Sequence, residues 1–282
     1  NILRLRYGTT TSDGMVSEML TNKSKLSINP LYRQKDMNKL LIILELKKSG
    51  VLQYLSHAQA DIVFLQETHI GPRQGYPEGS MHVEELQPDY MWAAFTVFRK
   101  NSRGVAILFK RDLACEGFCI TGDPKGRYLI ITCHIWGKQF IFINVYNPTD
   151  DKIDFGDFHD LLSKSPPSSF FVLGGDFNTV LEAQFDKTSN IRNRGHKNRL
   201  KGLQGFLEHF NLLDVWRYLY PEEKSFTYYD IKGKSRLDYF FIPYEILRKV
   251  NDCKIHARPQ FSNRQDFISD HLITLLLCAL FN

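Results

Sequence analysis

Polar side chains follow apolar, strand-like runs at several places in the sequence. Glu67 follows the first of these runs, Tyr146 ends the second, and Asp176 follows the third. Asp238 opens a later run, and Asp270 precedes the last one. Because a packed sheet presents the ends of its strands at the protein surface, we expect these side chains to line one surface site.

The segment around Asp176 combines two local signals. Gly174 and Gly175 precede the aspartate and permit close approach of the backbone. Asn178 stands two residues after Asp176, and side chains at this spacing on an extended chain face the same way. The pattern therefore predicts a carboxylate and an amide on the same face of the chain.

The ordered set of carboxylates indicates metal-assisted chemistry. Hard oxygen donors suit Mg²⁺, which takes one or two carboxylates together with water and phosphate oxygens. Hydrolysis of a phosphate ester by this route needs the cation, an oriented water and donors such as His271 for the developing negative oxygens. Each residue by itself is more often a turn former, a helix cap or a structural partner, as Asp238 would be for Arg236. The prediction therefore depends on their joint occurrence.

Strands dominate the predicted secondary structure. Short segments rich in β-branched and aromatic residues predict strands at 60–66, 90–95, 104–109, 128–135, 139–146, 169–173, 226–230, 237–242 and 272–277. Residues 136–138 predict a hairpin turn, and the apolar spacing of 203–210 predicts a helix with one buried face. Many strands with a few interspersed helices indicate an α/β sandwich in a single domain.

The composition is that of a globular protein. The chain has 282 residues, 36 basic and 31 acidic side chains, and 43% hydrophobic residues, which excludes wholesale disorder and fibrous architectures. The longest apolar run, 272–281, is about half of the ~20 residues that a membrane-spanning helix needs. No secretory signal pattern opens the sequence, and the widely spaced cysteines favour free thiols over disulfides or zinc. We therefore expect a protein that is neither secreted nor bound to a membrane.

The hydrophobic pattern of the chain changes near residue 40. Residues 1–39 are polar and lack a clear hydrophobic period, so we expect them to form a loosely ordered extension. Residues 40–44 are a compact apolar run, and 51–55 predict a short amphipathic helix. These changes place the folded domain at residues 40–282.

Five short motifs occur in order along the chain. They are Gln66-Glu67-Thr68, Asn144-Val145-Tyr146-Asn147-Pro148, Gly175-Asp176-Phe177-Asn178-Thr179, Ser235-Arg236-Leu237-Asp238-Tyr239 and Ser269-Asp270-His271. This series, across about residues 51–277, resembles the motifs of the endonuclease/exonuclease/phosphatase superfamily. The first and fourth motifs are most similar to the endonuclease domain of LINE-type non-LTR retrotransposons, which is itself similar to apurinic/apyrimidinic endonucleases and exonuclease III.

The resemblance implies a fold and a metal site. The fold is α/β, a four-layered, deoxyribonuclease I-like sandwich of two mostly antiparallel sheets flanked by helices. Glu67 would bind Mg²⁺, or alternatively Mn²⁺, with Asp270 as a second ligand. Asp176 would position or deprotonate the attacking water, and Asn178 would orient the water and the phosphate.

Other implied roles concern the substrate. His271, paired with Asp238, would contact the scissile phosphate and stabilise charge in the transition state. Tyr146 would donate a hydrogen bond to the same phosphate. Thr227 and Ser235 are further candidates for substrate contact.

Basic residues indicate a nucleic-acid substrate. Residues 187–201 contain no acidic side chain and carry Lys187, Arg192, Arg194, Lys197, Arg199 and Lys201. Such a stretch can neutralise backbone phosphates and make binding depend on salt, although a solvated loop leading into a helix would look the same. Tyr228, Tyr229, Lys232 and Lys234 offer a second surface for stacking or phosphate contact. We therefore expect DNA as the partner, a nuclear site of action and no obligate protein partner.

One feature of the family pattern is missing. That pattern begins with a strand that ends in a Trp-Asn-Xaa-Asn-Gly-like motif, whose Asn helps to bind the metal. Here either Glu45 substitutes imperfectly for this Asn or the start of the domain is altered. Loss of one such group typically weakens catalysis by roughly 3 kcal/mol. Together with the resemblance, the sequence predicts a Mg²⁺-dependent, retrotransposon-derived DNA endonuclease that nicks one strand. The alternatives are an abasic-site or exonuclease III-like nuclease, a phosphatase of small phosphoesters, and a catalytically silent module that binds DNA.

Overall fold

The computed structural model describes residues 38–44, 55, 60–85, 90–111, 113–188, 196–256 and 273–278. The strands are β1 (Asn38–Leu44), β2 (Ile62–Gln66), β3 (Met81–Glu85), β4 (Tyr90–Thr96), β5 (Val105–Lys110), β6 (Cys115–Gly122), β7 (Tyr128–Ile135), β8 (Lys138–Tyr146), β9 (Phe170–Asp176), β10 (Leu212–Asp214), β11 (Tyr228–Asp230), β12 (Gly233–Ser235), β13 (Asp238–Pro243), β14 (Val250–His256) and β15 (Ile273–Cys278). The helices are α1 (Gly156–Lys164), α2 (His196–His209), α3 (Val215–Leu219) and α4 (Tyr244–Leu247).

Two large sheets contain most of these strands. Within the described ranges, seven strands form the first sheet in the order β14-β15-β1-β2-β5-β4-β3, and six form the second in the order β10-β13-β9-β8-β7-β6. The β1–β2 and β8–β9 pairs are parallel, whereas the other neighbours in these sheets are antiparallel. A separate hairpin joins β11 to β12. The predicted architecture of two mostly antiparallel sheets is confirmed.

The two large sheets pack face to face through aromatic rings. Phe64 of β2 meets Phe142 of β8 edge to face at a centroid distance of 6.3 Å, and Phe240 of β13 at 6.1 Å. Phe109 of β5 lies 5.7 Å from the same Phe142. All four side chains are buried. Burial of each contributes about 1.5–3 kcal/mol, so this layer supplies a large share of the apolar driving force for folding.

Helices cover the outer face of the second sheet. Phe158 of α1 and Phe206 of α2 are in contact at a centroid distance of 5.9 Å and belong to an apolar cluster that includes Phe177. Leu203 and Leu207 of α2 are also buried, which confirms the helical face predicted for 203–210, although α2 already begins at His196. No helix in the described part of the chain is both long and apolar enough to cross a membrane.

The strand predictions succeed for most interior strands of the sheets and fail at the edges. Each segment predicted as a strand overlaps an observed strand. The strands of the two large sheets that were not predicted are β1, β3, β6, β10 and β14, and all of them except β1 are edge strands. An edge strand is less completely covered and carries more polar residues, so its apolar pattern is weak.

The predicted hairpin turn between β7 and β8 is confirmed. Ile135 pairs with Lys138, and the two residues between them are Trp136, with φ 49°, and Gly137, with φ 73°. Positive φ at both central positions is the mark of the type I′ turn, whose twist matches the twist of the flanking strands.

The first described strand extends past the predicted domain boundary. β1 begins at Asn38, two residues before the predicted start at Leu40, and pairs with both β15 and β2. Leu55, the end of the predicted short helix, is helical and is buried in the same apolar cluster as Val63 of β2. Residues 51–54 and the predicted extension up to residue 37 lie outside the described residues.

Gly175 generates the first prediction, because its position in β9 excludes any side chain. Its φ is +132°, and a Cβ atom there would overlap the carbonyl oxygen of Val145, its partner in the parallel β8–β9 ladder. Gly175→Ala must separate these strands beside Tyr146 and Asp176. We expect the free energy of unfolding to fall by more than about 2 kcal/mol, measured by urea denaturation.

Gly202→Ala in α2 is the matched control. A Cβ atom at Gly202 would have no heavy atom within 4 Å. Alanine is preferred over glycine inside a helix, so we expect this variant to gain up to about 1 kcal/mol of stability. Equal effects of the two substitutions would contradict the close approach at Gly175.

Candidate active site

Glu67 follows β2 in a backbone conformation that non-glycine residues rarely adopt. Its φ is 49°, and that of His69 is 55°. The amides of Thr68 and His69 donate to the carbonyl oxygens of Gly104 and Arg103 at 3.1 and 2.9 Å, which holds the turn in place. Glu67 Oε2 lies 2.7 Å from His69 Nε2, and the Glu67 side chain is 25% exposed. The strained turn thus presents a carboxylate at the surface, as functional sites often do.

Tyr146 ends β8 beside this carboxylate. Burial raises the pKa of the Tyr146 phenol, and a hydrogen bond to Glu67 and the negative charges of Glu67 and Asp176 raise it further. The positive charge of Arg103 lowers the pKa of Tyr146, but this effect is smaller than the sum of the others. The phenol therefore stays protonated at neutral pH and donates its proton to the Glu67 carboxylate.

Asp176 ends β9 between two other candidate residues. The strand register pairs it with Tyr146 on the parallel side and with Asp238 on the antiparallel side. Asp176 is 1% exposed. Both of its carboxylate oxygens accept hydrogen bonds from Asn178, one from the backbone amide at 2.8 Å and one from Nδ2 at 3.1 Å. Asp176 and Asn178 therefore form one fixed unit, and the prediction that they share a face is confirmed.

Asp238 opens β13 and is buried. The Thr227 hydroxyl oxygen accepts hydrogen bonds from the amides of Leu237 and Asp238 at 3.0 and 3.2 Å, and Thr227 itself is buried. Thr227 thus anchors the start of the strand that carries Asp238. Ser235 is half-buried at the end of β12 and pairs with Tyr228. Substrate contact by Thr227 or Ser235 stays a prediction.

A buried ion network holds the segment between Asn178 and Asp238. The Arg236 guanidinium donates to both oxygens of Asp186 at 2.9 and 3.0 Å and to both oxygens of Asp214 at 2.9 and 2.6 Å. Arg236 and Asp186 are fully buried. Because Arg236 directs its guanidinium to these two carboxylates, the alternative in which Asp238 serves as its structural partner is wrong. Removal of one member of such a network typically costs about 3–5 kcal/mol.

A pair of buried amides connects the two sheets behind the candidate site. Gln66 Nε2 of β2 donates to Asn144 Oδ1 of β8 at 2.6 Å, although 78 residues separate them. Asn144 Nδ2 donates to the carbonyl oxygens of Leu65 and Ala106, both at 2.9 Å. Gln66 immediately precedes Glu67, and Asn144 stands two residues before Tyr146. The bridge therefore fixes the register in which Glu67 meets Tyr146.

The described structure brings together a subset of the predicted residues. Glu67, Tyr146, Asp176, Asn178 and Asp238 lie at neighbouring ends of strands in the two sheets. The described residues contain no group of three or more His, Cys, Asp or Glu side chains placed to hold a metal. The candidates that lie outside the described residues are Asp270, His271, Arg192, Arg194 and the side chain of Lys197.

Sequence reasoning did not foresee the contacts that three residues make around the site. His69 contacts Glu67, and its one signal was its place at the end of the Gln-Glu-Thr-His run. Arg103 stands 36 residues from Glu67 and has no sequence signal, yet it acts on Tyr146 and pairs with Asp151 at 3.0 Å. Asn144 was recognised at a strand end, but its bridge to Gln66 was not foreseen. Arg199 lies in a groove between α1 and α2, and its predicted contact with substrate stays a prediction.

Comparisons of the sequence identify relatives. The sequence profile of the Endonuclease/Exonuclease/phosphatase family matches residues 44–271. The chain is 28% identical over 219 residues to the Transposon TX1 uncharacterized 149 kDa protein of Xenopus laevis, which covers 74% of this chain and 16% of that protein. It is 24% identical over 233 residues to a DNA-(apurinic or apyrimidinic site) endonuclease of Dictyostelium discoideum, which covers 73% of this chain and 61% of that protein. The chain spans less than two thirds of the length of either relative.

Solved structures share the fold. An AP endonuclease from Archaeoglobus fulgidus superposes with a TM-score of 0.62 at 22% identity, over 86% of this chain and 100% of that chain. The AP endonuclease LMAP from Leishmania major gives a TM-score of 0.59 at 16% identity, over 86% and 88% of the two chains. The likeness at these identities concerns the fold, and it confirms the predicted two-sheet sandwich.

The amide bridge generates the second prediction. Asn144→Leu leaves the Gln66 amide and two carbonyl oxygens buried without this partner, so we expect a loss of about 2–4 kcal/mol of stability. The double variant Gln66→Leu/Asn144→Leu removes both amides and should cost less than the sum of the single variants. Urea denaturation of all four proteins measures an interaction energy, which we expect to be about 1–2 kcal/mol.

Gln204→Leu is the control for the glutamine substitution. Gln204 is exposed on α2, and its replacement should change stability by no more than about 0.5 kcal/mol. If the costs of the two bridge substitutions simply add, the amides do not couple the sheets.

Proposed function

Because the chain belongs to the Endonuclease/Exonuclease/phosphatase family, we propose that it is a Mg²⁺-dependent phosphodiester hydrolase that nicks one strand of DNA. The observation that carries this proposal is the meeting of a surface carboxylate, a protonated phenol and a fixed Asp–Asn unit at one edge of the sandwich. These groups are Glu67, Tyr146, Asp176 and Asn178. Similarity to the Transposon TX1 protein of Xenopus laevis supports an origin in a retrotransposon.

The oxygen-rich donor set fits Mg²⁺. Carboxylates and a phenol surround the site, and Gln66 Oε1, one residue before Glu67, is a buried acceptor without a hydrogen-bond partner. Hard oxygen atoms of this kind are the ligands that Mg²⁺ and Mn²⁺ prefer. Glu67 would hold the metal, with Asp270 as a second ligand. The bound cation would neutralise charge on the phosphate.

Asp176 and Asn178 would prepare the attacking water. Hydrogen bonds from Asn178 fix the Asp176 carboxylate, so the carboxylate needs little reorganisation to accept a proton from water. The side-chain amide of Asn178 would orient the same water and a phosphate oxygen. Burial of Asp176 keeps bulk water from competing for this contact.

Tyr146 and His271 would act on the phosphate. The raised pKa of Tyr146 keeps its proton in place, and once Glu67 holds the metal the phenol would exchange its hydrogen bond to Glu67 for one to a non-bridging phosphate oxygen. His271, paired with Asp238, would contact the same phosphate and stabilise charge in the transition state. Thr227 supports Asp238 from behind through its hydrogen bonds to the strand.

The β11–β12 hairpin supports DNA over a small phosphoester. Ile231 at its tip is fully exposed, and Lys232 and Lys234 are exposed beside it. Lys234 Nζ lies 5.2 Å from the ring centroid of Tyr229. A projecting edge with cations and aromatic surface suits contact with a nucleic-acid backbone. Action on DNA would take place in the nucleus.

Two other functions compete with the first. Similarity to the Dictyostelium discoideum DNA-(apurinic or apyrimidinic site) endonuclease favours cleavage at abasic sites. The absence of a Trp-Asn-Xaa-Asn-Gly-like motif favours a relative that binds DNA without cleaving it. The same fold and the same strand-end residues would be retained in either case.

Nicking of supercoiled plasmid tests the first function. We expect Mg²⁺-dependent relaxation that stops with EDTA and falls more than about 100-fold in Asp176→Asn and His271→Ala, because each change removes a group that handles a proton or charge in the transition state. Glu208→Gln, at an exposed position on α2, is the control that should retain full activity.

The outcomes separate the three functions. Faster cleavage of an oligonucleotide with one abasic site than of intact duplex would favour the second function. Intact plasmid in the presence of Mg²⁺, together with DNA binding by the wild type, would favour the silent module. Undiminished nicking by Asp176→Asn would contradict the mechanism itself.

A further inference from the structure

We propose that the groove between α1 and α2 binds a backbone phosphate of the DNA strand that leaves the active site. This inference rests on the proposed function and adds a second contact to it. The groove encloses about 390 Å³, and its polar lining includes Asn147, Lys152, His159, Asn198, Arg199 and His209.

The charge of the groove suits an anion. Lys152 and Arg199 are permanent cations on its two sides, and His159 and His209 add imidazole donors. The carboxylate in the lining is Asp154, whose Oδ1 accepts a hydrogen bond from the amide of Gly156 at 3.0 Å. The two cations outnumber this one carboxylate, so the lining of the groove is basic overall.

Arg199 supplies a donor that lacks a partner. Its Nε atom is buried and makes no hydrogen bond, and the residue as a whole is half-buried. A buried guanidinium N–H without an acceptor is unfavourable, whereas a phosphate oxygen would satisfy it with a charge-assisted hydrogen bond. Because Nε has almost no exposed surface, a phosphate in the groove would reach it once the Arg199 side chain turns toward the groove.

Two glycines keep the groove open. Gly202 and Gly205 line it from α2, and a Cβ atom at either position would have no heavy atom within 4 Å. Each glycine inside a helix costs about 1 kcal/mol relative to alanine. The stability of the helix therefore does not explain why two glycines stand one helical turn apart. Space for a ligand in the groove does explain them.

Asn147 connects the groove to the active-site segment. It lines the end of the groove and directly follows Tyr146. Asn147 Nδ2 donates to the carbonyl oxygen of Phe177 at 3.2 Å, and Asn147 Oδ1 accepts from the Ile153 amide at 2.8 Å. The wall of the groove is therefore tied to the segment between Asp176 and Asn178. The groove therefore begins one residue from Tyr146, close enough for a DNA strand held at the active site to reach its basic side chains.

The histidine pair offers a rival occupant. His159 Nε2 and His209 Nε2 lie 3.0 Å apart on different helices, which is compatible with a shared proton or with joint binding of a transition-metal ion. Ser163 Oγ lies 3.3 Å from His159 Nδ1 and helps to orient that ring. Two imidazoles alone form an incomplete metal site, so a phosphate is favoured as the occupant of the groove.

DNA binding without cleavage tests the groove. The affinity of the full chain for a labelled duplex is measured in EDTA at several salt concentrations. We expect Arg199→Gln to weaken binding about 3- to 10-fold at low salt and to reduce the slope of log K against log salt by about 1. Gly205→Leu fills the groove with a good helix former and should weaken binding by a similar factor. Thermal unfolding confirms that both variants are folded.

Lys201→Gln is the matched control for charge. Lys201 is an exposed cation on the same helix but outside the groove lining, so it should change affinity and slope less than Arg199→Gln does. Equal effects of the two substitutions would mean that Arg199 acts only through the general positive charge of the surface, and this result would overturn the inference.

The remaining outcomes distinguish the occupants and the two proposals. If the wild type nicks plasmid while Arg199→Gln and Gly205→Leu bind DNA normally, the groove inference fails and the proposed function stands. Stabilisation by inorganic phosphate that Arg199→Gln abolishes, without any change in DNA binding, would assign the groove to a free phosphate. Stabilisation by Zn²⁺ that His159→Gln abolishes, again with DNA binding unchanged, would assign it to a metal. A wild type that neither binds nor nicks DNA would contradict the proposed function as well.

Discussion

The hydrogen bond between Gln66 and Asn144 is the interaction on which the arrangement of the active edge depends. In the described core the two sheets meet mainly through apolar and aromatic side chains, whose attraction is non-directional and tolerates sliding. A buried amide pair has one satisfied geometry, so it selects one register of the sheets. Because Glu67 and Tyr146 follow these amides on their strands, the same bond decides which strand ends face each other.

Local strain at the edge depends on the support of the surrounding structure. Glu67 and Asn178 both have positive φ, and each sits beside a group that holds it: the Gly104 and Arg103 carbonyls for the first turn, and the Asp176 carboxylate for the second. The buried network of Arg236, Asp186 and Asp214 fixes the chain between Asn178 and Asp238. Such conformations persist where the surroundings over-determine them, and the outcome is a preorganised set of polar groups at the rim of an apolar core.

The sequence predicted the interior of this structure better than its edges and long-range polar contacts. Central strands are buried and apolar enough to be recognised, as β2 was, whereas the edge strand β6 mixes exposed residues with a register shift between Glu116 and Cys119. Site residues such as Asp176 were found because they directly follow apolar runs. The Gln66–Asn144 bridge and the partners of Arg236 join residues that are far apart in sequence, so no local spacing could predict them.

Metal binding by Glu67 is the most direct test that the joined strand ends form one hydrolytic site. Crystals of the chain soaked in Mn²⁺ would reveal the ion by its anomalous scattering. We predict a peak at about 2.0–2.2 Å from a Glu67 carboxylate oxygen, lost in Glu67→Gln. Mn²⁺ bound elsewhere, with no peak at Glu67 in the wild type, would contradict the assignment of this edge as the metal-dependent centre.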